Sequence, residues 1–139
     1  KDSNVLSQLF DGYLESDFVY LKGDGKNLPT KIVVTDPDCP YCREHLKNVD
    51  AELKEANLKL IIAPIHQKEA FIKAQLIMNE VAKLDAGDTK GKIKVLEKYY
   101  RDITLDAGQL KKDYSQITKN TDKIFQTGVI KGVPFIFEE

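Results

Sequence analysis

Cys39 and Cys42, the only cysteines in this chain, enclose Pro40-Tyr41 at the junction between a β-branched run and an amphipathic helical pattern. Lys31-Ile32-Val33-Val34-Thr35 reads as a strand ending at Asp36-Pro37-Asp38, and beyond it Cys42, Leu46, Val49 and Leu53 recur on one helical face. Leu58 to Ala63 is apolar enough for an interior strand, and Pro64 stops it. Strand, helix, strand is a βαβ unit, so the chain is bound to the α/β class with both thiols at the first strand-to-helix turn.

Two cysteines this close enclose too small a loop to constrain the unfolded chain, so packing must hold the fold. The composition supplies it: 139 residues, 42% hydrophobic, with eight Gly and five Pro, suit the core of one domain. Lys and Arg number 21 against 22 Asp and Glu, a net charge of -1 that lacks the basic footprint of a nucleic-acid binder. The longest apolar stretch, Leu58 to Ile65, is broken by Lys59 and Pro64 and is too short to span a membrane. Lys1-Asp2-Ser3 is not a secretory signal, so if the protein is exported its leader has been removed or lies outside this sequence.

Around the βαβ unit the periodicity is mostly helical. Val5, Leu6, Leu9, Phe10 and Tyr13 mark a first helix, and Phe18-Val19-Tyr20-Leu21 a short strand closed by Gly23-Asp24-Gly25. Three apolar stripes follow: Ala70, Ala74, Ile77, Met78 and Val81; then Ile93, Leu96 and Tyr100; then Leu110, Tyr114, Ile117, Ile124 and Phe125. Gly87 and Gly91 punctuate the first two, and Gly128 suits a left-handed helix end before the extended run Val133-Pro134-Phe135-Ile136-Phe137. The charge-rich stretch from Lys83 to Lys98 reads as a solvated helical face and turn.

The chemistry lies in the cysteines. A helix N-terminus offers unpaired N–H groups that favour a thiolate at Cys39, which makes it the candidate nucleophile. Cys42, one turn further in on the apolar stripe, is placed to attack a mixed disulfide on Cys39 and release the substrate. Asp36 and Asp38 oppose the thiolate with negative charge, and Asp38 is the better placed of the two to cap the helix. Pro40 preorganises the first helical turn, and Tyr41 offers either an aromatic edge to a substrate or plain surface.

A competing class is a copper or zinc chaperone, since Cys39, Cys42 and His45 are spaced as three local ligands. His66, the only other histidine, is not placed near Cys39 by anything in the sequence, and His45 and Arg43 read more simply as exposed helix residues tempering the aspartates. A c-type haem is excluded because Arg43, not His, follows the second cysteine. The redox pair is the stronger reading and needs no metal and no cofactor.

Thr35-Asp36-Pro37-Asp38-Cys39-Pro40-Tyr41-Cys42 at a strand end, with Gly132-Val133-Pro134 opening a late strand, resembles the thioredoxin-fold disulfide oxidoreductases of the bacterial Dsb type, and most of all the catalytic domain of the DsbC/DsbG group. The resemblance implies an α/β, thioredoxin-like fold with a helical insertion at about 67–128, between the βαβ unit and the cis-Pro strand. It divides the chain into a linker-like helix at 1–16 and a catalytic domain at 17–139. It implies that Pro134 is a cis-proline and that Val133 presents its backbone to an extended substrate peptide near Cys39. It further implies cysteine-containing exported protein substrates, a membrane redox partner, a periplasmic or otherwise exported setting, and a homodimer through an N-terminal domain preceding Lys1. Two residues split the subgroups: Val33, six positions before Cys39, follows the DsbC/DsbG pattern, whereas Val133 matches DsbA where DsbC and DsbG usually have Thr, and a monomeric DsbA-like oxidase is the alternative. The sequence stops at Glu139, where the family adds a partner strand and a C-terminal helix, which reads as a piece of a longer chain or as a reduced version of the fold.

Overall fold

A computed structural model describes all residues, 1–139. Four strands form one mixed sheet in the order β1-β3-β2-β4: β1 is Val19–Leu21, β2 Thr30–Thr35, β3 Asn57–Ile62 and β4 Phe135–Glu138. β2 and β3 are parallel, with Thr35 opposite Ile62, while β1 runs antiparallel to β3 and β4 antiparallel to β2. The parallel pair requires a crossover, which α2 (Pro40–Lys47) and the short α3 (Val49–Glu52) provide. Helices α4 (Lys68–Val81), α5 (Thr89–Tyr99) and α6 (Ser115–Gln126) fill the connection from β3 to β4, and α1 (Asp2–Asp11) precedes the sheet.

Strand side chains alternate between faces, and this alternation builds two cores. On one face Val19, Leu21, Val33, Leu58, Leu60 and Ile62 meet Cys39, Cys42 and Leu46 of the α2 region and Ile72, Ile77 and Leu96 of α4 and α5. On the other, Ile32, Val34, Ile61 and Ala63 meet Leu6 and Phe10 of α1, Tyr13, Phe18, and Ile124 of α6. Each fully buried Leu, Ile or Val contributes roughly 1.5–3 kcal/mol over its exposed state, so both faces hold helices firmly to the sheet.

Local structure departs from the sequence reading in four places. The helix after Cys42 breaks at Asn48, where φ is -103° and ψ 11°, yet Cys42, Leu46, Val49 and Leu53 all stay buried across the break. The apolar face therefore survives a change of axis. Gly91 does not punctuate a helix; it lies in the first turn of α5, where its N–H meets the capping carboxylate of Asp88 at 2.8 Å and a Cβ would collide with that side chain. Leu110 is 40% exposed in a separate 3₁₀ turn (Gln109–Lys111), so the third helix, α6, begins only at Ser115. Finally, β3 begins and ends one residue earlier than its apolar run, because Asn57 enters the ladder opposite Thr30. Gly128, by contrast, takes φ +72° just beyond the last residues of α6, the left-handed conformation its position suggested.

Candidate active site

The site begins where β2 runs out. Thr35 ends the strand, Asp36 to Asp38 make the turn, and Cys39 stands as the N-cap of α2 in extended conformation, with Pro40 opening the first helical turn. Cys39 N–H donates to Asp36 O at 3.2 Å, and the helix starts with Arg43 N–H donating to Cys39 O at 3.0 Å. Both sulfurs are buried, but unequally: Cys39 is 6% exposed and Cys42 is 0% exposed. A reagent or substrate sulfur therefore reaches Cys39 first. Burial pushes the Cys42 thiol up to about 12, with the hydroxyl of Thr35 and the backbone N–H of Asp36 pulling the other way.

A second chain segment closes the site from the side. The Val133–Pro134 peptide is cis, and the Cys39 Sγ–H donates to Val133 O at 3.7 Å, a distance within the longer range of sulfur hydrogen bonds. Pro134 is immediately followed by β4, whose pairing to β2 from Val34↔Phe135 onward fixes this approach. Tyr41, 76% exposed, projects from the same helical turn.

The aspartates are arranged differently from the sequence reading. Asp38 does not cap α2; its Oδ1 accepts from Arg43 Nη2 at 3.1 Å and from Lys73 Nζ at 2.6 Å. Lys73 comes from α4, is 3% exposed, and also donates to Arg101 O at 2.9 Å. Asp36 is fully buried: Oδ1 accepts Asp38 N–H at 2.8 Å, and Oδ2 accepts Ile65 N–H at 2.8 Å and lies 2.6 Å from His66 Nδ1. Each carboxylate beside Cys39 thus has donors or cations of its own, which weakens the repulsion it exerts on a thiolate.

The histidines exchange importance. His66, which nothing in the sequence placed, stands on Asp36 beside the redox turn, whereas His45 faces away and meets Glu52 Oε1 at 2.7 Å. Both partners of that pair are largely buried, so His45 is neither an exposed residue nor a companion of the aspartates. Arg43 is likewise only partly exposed, although it does pair with Asp38 as well as with Asp102 and Pro37 O. With His45 committed to Glu52, the three-ligand set of a metal chaperone is not assembled, and no group of three or more His, Cys, Asp or Glu side chains is gathered as a metal site.

No family model and no curated protein matches the sequence. Among solved structures, the fold superposes on Helicobacter pylori DsbG with a TM-score of 0.87 and 27% sequence identity, over 99% of this chain and 62% of that one. The chain has the thioredoxin-like fold of Dsb-type thiol-disulfide interchange proteins. It spans somewhat under two thirds of the DsbG chain. The same fold recurs in Proteus mirabilis ScsC, with a TM-score of 0.71 and 16% identity over 99% of this chain and 70% of that chain. In a disulfide interchange protein of Neisseria gonorrhoeae the TM-score is 0.62 and the identity 20%, over 89% of this chain and 81% of that chain.

Sequence reasoning singled out the cysteines, Pro40, Tyr41, Val133 and Pro134 as candidates, and it passed over Thr35, His66, Lys73 and Tyr100, which the fold brings to the same region. The Thr35 and Tyr100 hydroxyls lie 2.9 Å apart in the core beneath Cys42. No local spacing announces that contact, because the two residues lie 65 positions apart. Tyr100 read as the last member of an apolar stripe; its hydroxyl was the one available signal, since a buried phenol needs a polar partner.

Proposed function

We propose that this domain exchanges disulfides with protein substrates. Cys39 attacks a substrate disulfide, or is attacked when oxidised, to give a mixed disulfide; Cys42 then attacks the Cys39 sulfur and releases the substrate thiolate. Val133 and Pro134 hold an extended substrate backbone against Cys39, with Pro40 and Tyr41 forming the opposite lip. The observation that carries this reading is the less buried Cys39 at the helix tip, within hydrogen-bond reach of the Val133 carbonyl, with the fully buried Cys42 one turn behind. No metal or organic cofactor enters the scheme.

The substrates we infer are exported, cysteine-containing proteins, and the pair is reset by a membrane redox protein. Support comes from the Dsb-type fold and from the redox pair itself, which has a use wherever substrate disulfides form. No helix of the domain is long and apolar enough to cross a membrane. We further propose that residues 1–16 belong to a linker to an N-terminal dimerisation domain, in which case two catalytic domains share a cleft and hold a misfolded substrate at high effective concentration. That arrangement favours isomerisation; a monomeric oxidase is the alternative. Equilibration with glutathione mixtures tests the direction, since a potential of about -120 mV marks an oxidase and about -270 mV a reductase. Under the dimeric reading the isolated 139 residues reduce or oxidise disulfides but refold scrambled multi-disulfide substrates poorly. Efficient isomerisation by the isolated domain would overturn it.

A further inference from the structure

Release of substrate demands a thiolate at Cys42, and its surroundings oppose one. The sulfur is fully buried in the larger core, against Val33, Leu46 and the α4 and α5 side chains. Desolvating an anion in such a place is costly unless a hydrogen-bond donor meets it. The groups that do face Cys42 are few: Cys39 from the same helix tip, the Thr35 hydroxyl and Asp36 N–H from the end of β2, and Tyr100 at the end of α5. The Asp36 carboxylate is turned to other partners, His66 among them.

Thr35 and Tyr100 form a linked pair. Thr35 is 1% exposed and Tyr100 6%, and their hydroxyl oxygens are 2.9 Å apart, so neither oxygen has water as its usual partner. Either could donate to the other by distance alone. A thiolate decides the direction: Thr35 has a single hydroxyl hydrogen, and once that hydrogen points at Cys42 only the Tyr100 O–H remains to serve the Thr35 oxygen. Burial, first among its causes, holds the Tyr100 phenol well above its ordinary value, so the phenol keeps its proton and acts as a donor rather than a base. With the thiolate formed, the Tyr100–Thr35 contact and a Thr35 O–H donated to the sulfur lie in series, and two such bonds polarise one another.

We propose that Tyr100, acting through Thr35, is a positioning residue for the resolving cysteine: it orients the Thr35 hydroxyl hydrogen at Cys42 and stabilises the thiolate that breaks the mixed disulfide. The inference rests on the disulfide-exchange reading. In the step it serves, Cys42 gives its proton to solvent, its sulfur bonds to Cys39 Sγ, and the bond between Cys39 and the substrate sulfur breaks. The substrate leaves as a thiolate and takes up a proton. Over the full cycle the cysteine pair loses two electrons and the substrate disulfide gains them. In the reverse direction Cys42 departs as the thiolate, and the same donor assists. The helical insertion thus supplies a working part of the site, since Tyr100 reaches Thr35 only because α5 packs over the face that carries Cys42.

The test compares Thr35→Val, Thr35→Ser and Tyr100→Phe with the wild type by mass-resolved alkylation of each cysteine in the reduced protein across alkaline pH. The expected result is a Cys42 rate lowered about tenfold in Thr35→Val and about threefold in Tyr100→Phe at a given pH, through displacement of its profile to higher pH. Thr35→Ser restores the wild-type rate, and Cys39 alkylation is unchanged in all three. Mixed-disulfide release from a peptide disulfide slows in the same order. Equal Cys42 rates in all four proteins would overturn the proposal, and so would parallel slowing of both cysteines, which marks an effect not directed at Cys42, or parallel acceleration of both, which marks a general loss of packing. A wild type that exchanges with no peptide disulfide, yet shows the Cys42 pattern, would sink the exchange reading and leave the hydroxyl pair standing.

Discussion

The two faces of the sheet are built from the same strands and do different work. The face under α1 and α6 is aromatic: Phe10 packs on Phe137 with ring centroids 5.8 Å apart, and Tyr13 meets Phe18 edge-on at 6.1 Å. Its chief buried polar contact, Tyr13 O–H donating to Asn120 O at 2.6 Å, serves only to join the end of α1 to α6. The face under α2, α4 and α5 is mostly aliphatic, and near the C-terminal end of β2 it buries both thiols, Thr35 and Tyr100, with the Asp36 carboxylate beside them. Buried polar groups are expensive, so their concentration at one end of one face marks where chemistry is done. The aromatic face holds the platform; the mostly aliphatic face carries the proposed exchange site.

Substitutions on the two faces should therefore separate stability from reactivity. The largest loss of stability is expected from Phe10→Ala on the aromatic face, about 3–5 kcal/mol in denaturant unfolding, with the ratio of Cys39 to Cys42 alkylation rates unchanged. A changed ratio at full folding would mean that the faces are coupled. Asp36→Asn, at the reactive end, should cost less, about 1–3 kcal/mol, because a buried acceptor of two backbone N–H groups and His66 becomes mispaired. Hydrogen exchange should then show faster opening at Ile65 and Asp38 than in α1; a uniform increase would contradict the local role assigned to this carboxylate.

The smallest effect is expected at the far end of the α2–α3 crossover. The His45 hydrogen bond, ahead of the opposing effect of burial, holds the Glu52 carboxyl below its usual range. A depressed carboxyl stabilises the fold above its unfolded value, about 4.3, and loses that contribution as pH falls through the folded one. His45→Ala should cost about 1 kcal/mol near neutrality, with the deficit shrinking as the pH drops below about 4. A deficit independent of pH would assign the loss to packing alone.

The legibility of the two faces differs as well. The β-branched run Lys31 to Thr35 and the apolar run Leu58 to Ala63 disclosed the strands and the βαβ unit, because residue type and hydrophobicity are local signals. The CPYC position and the helix stripes were legible for the same reason, and the helical insertion came from the family resemblance. The polar shell around the thiols was not. Asp36 meets His66 30 positions away, Asp38 meets Lys73 at 35, and Thr35 meets Tyr100 at 65, so each pairing is made by tertiary packing and leaves no periodic trace. Nothing in the sequence placed His66 or singled out Lys73, because the face that α4 turns to the redox turn is set by where β3 ends. Gly91 misled in the opposite sense: it read as a breaker, but the Asp88 carboxylate uses the space that its missing side chain leaves.

The central claim is a division of labour between two sulfurs, and trapping addresses it most directly. Cys42→Ser protein is mixed with an excess of a cysteine-containing peptide disulfide, and adducts are located by mass spectrometry. The account predicts one stable peptide adduct per chain, at Cys39, that neither the wild type nor Cys39→Ser accumulates. An adduct forming as fast at Cys42 in Cys39→Ser, or no adduct at Cys39 in Cys42→Ser, would contradict it.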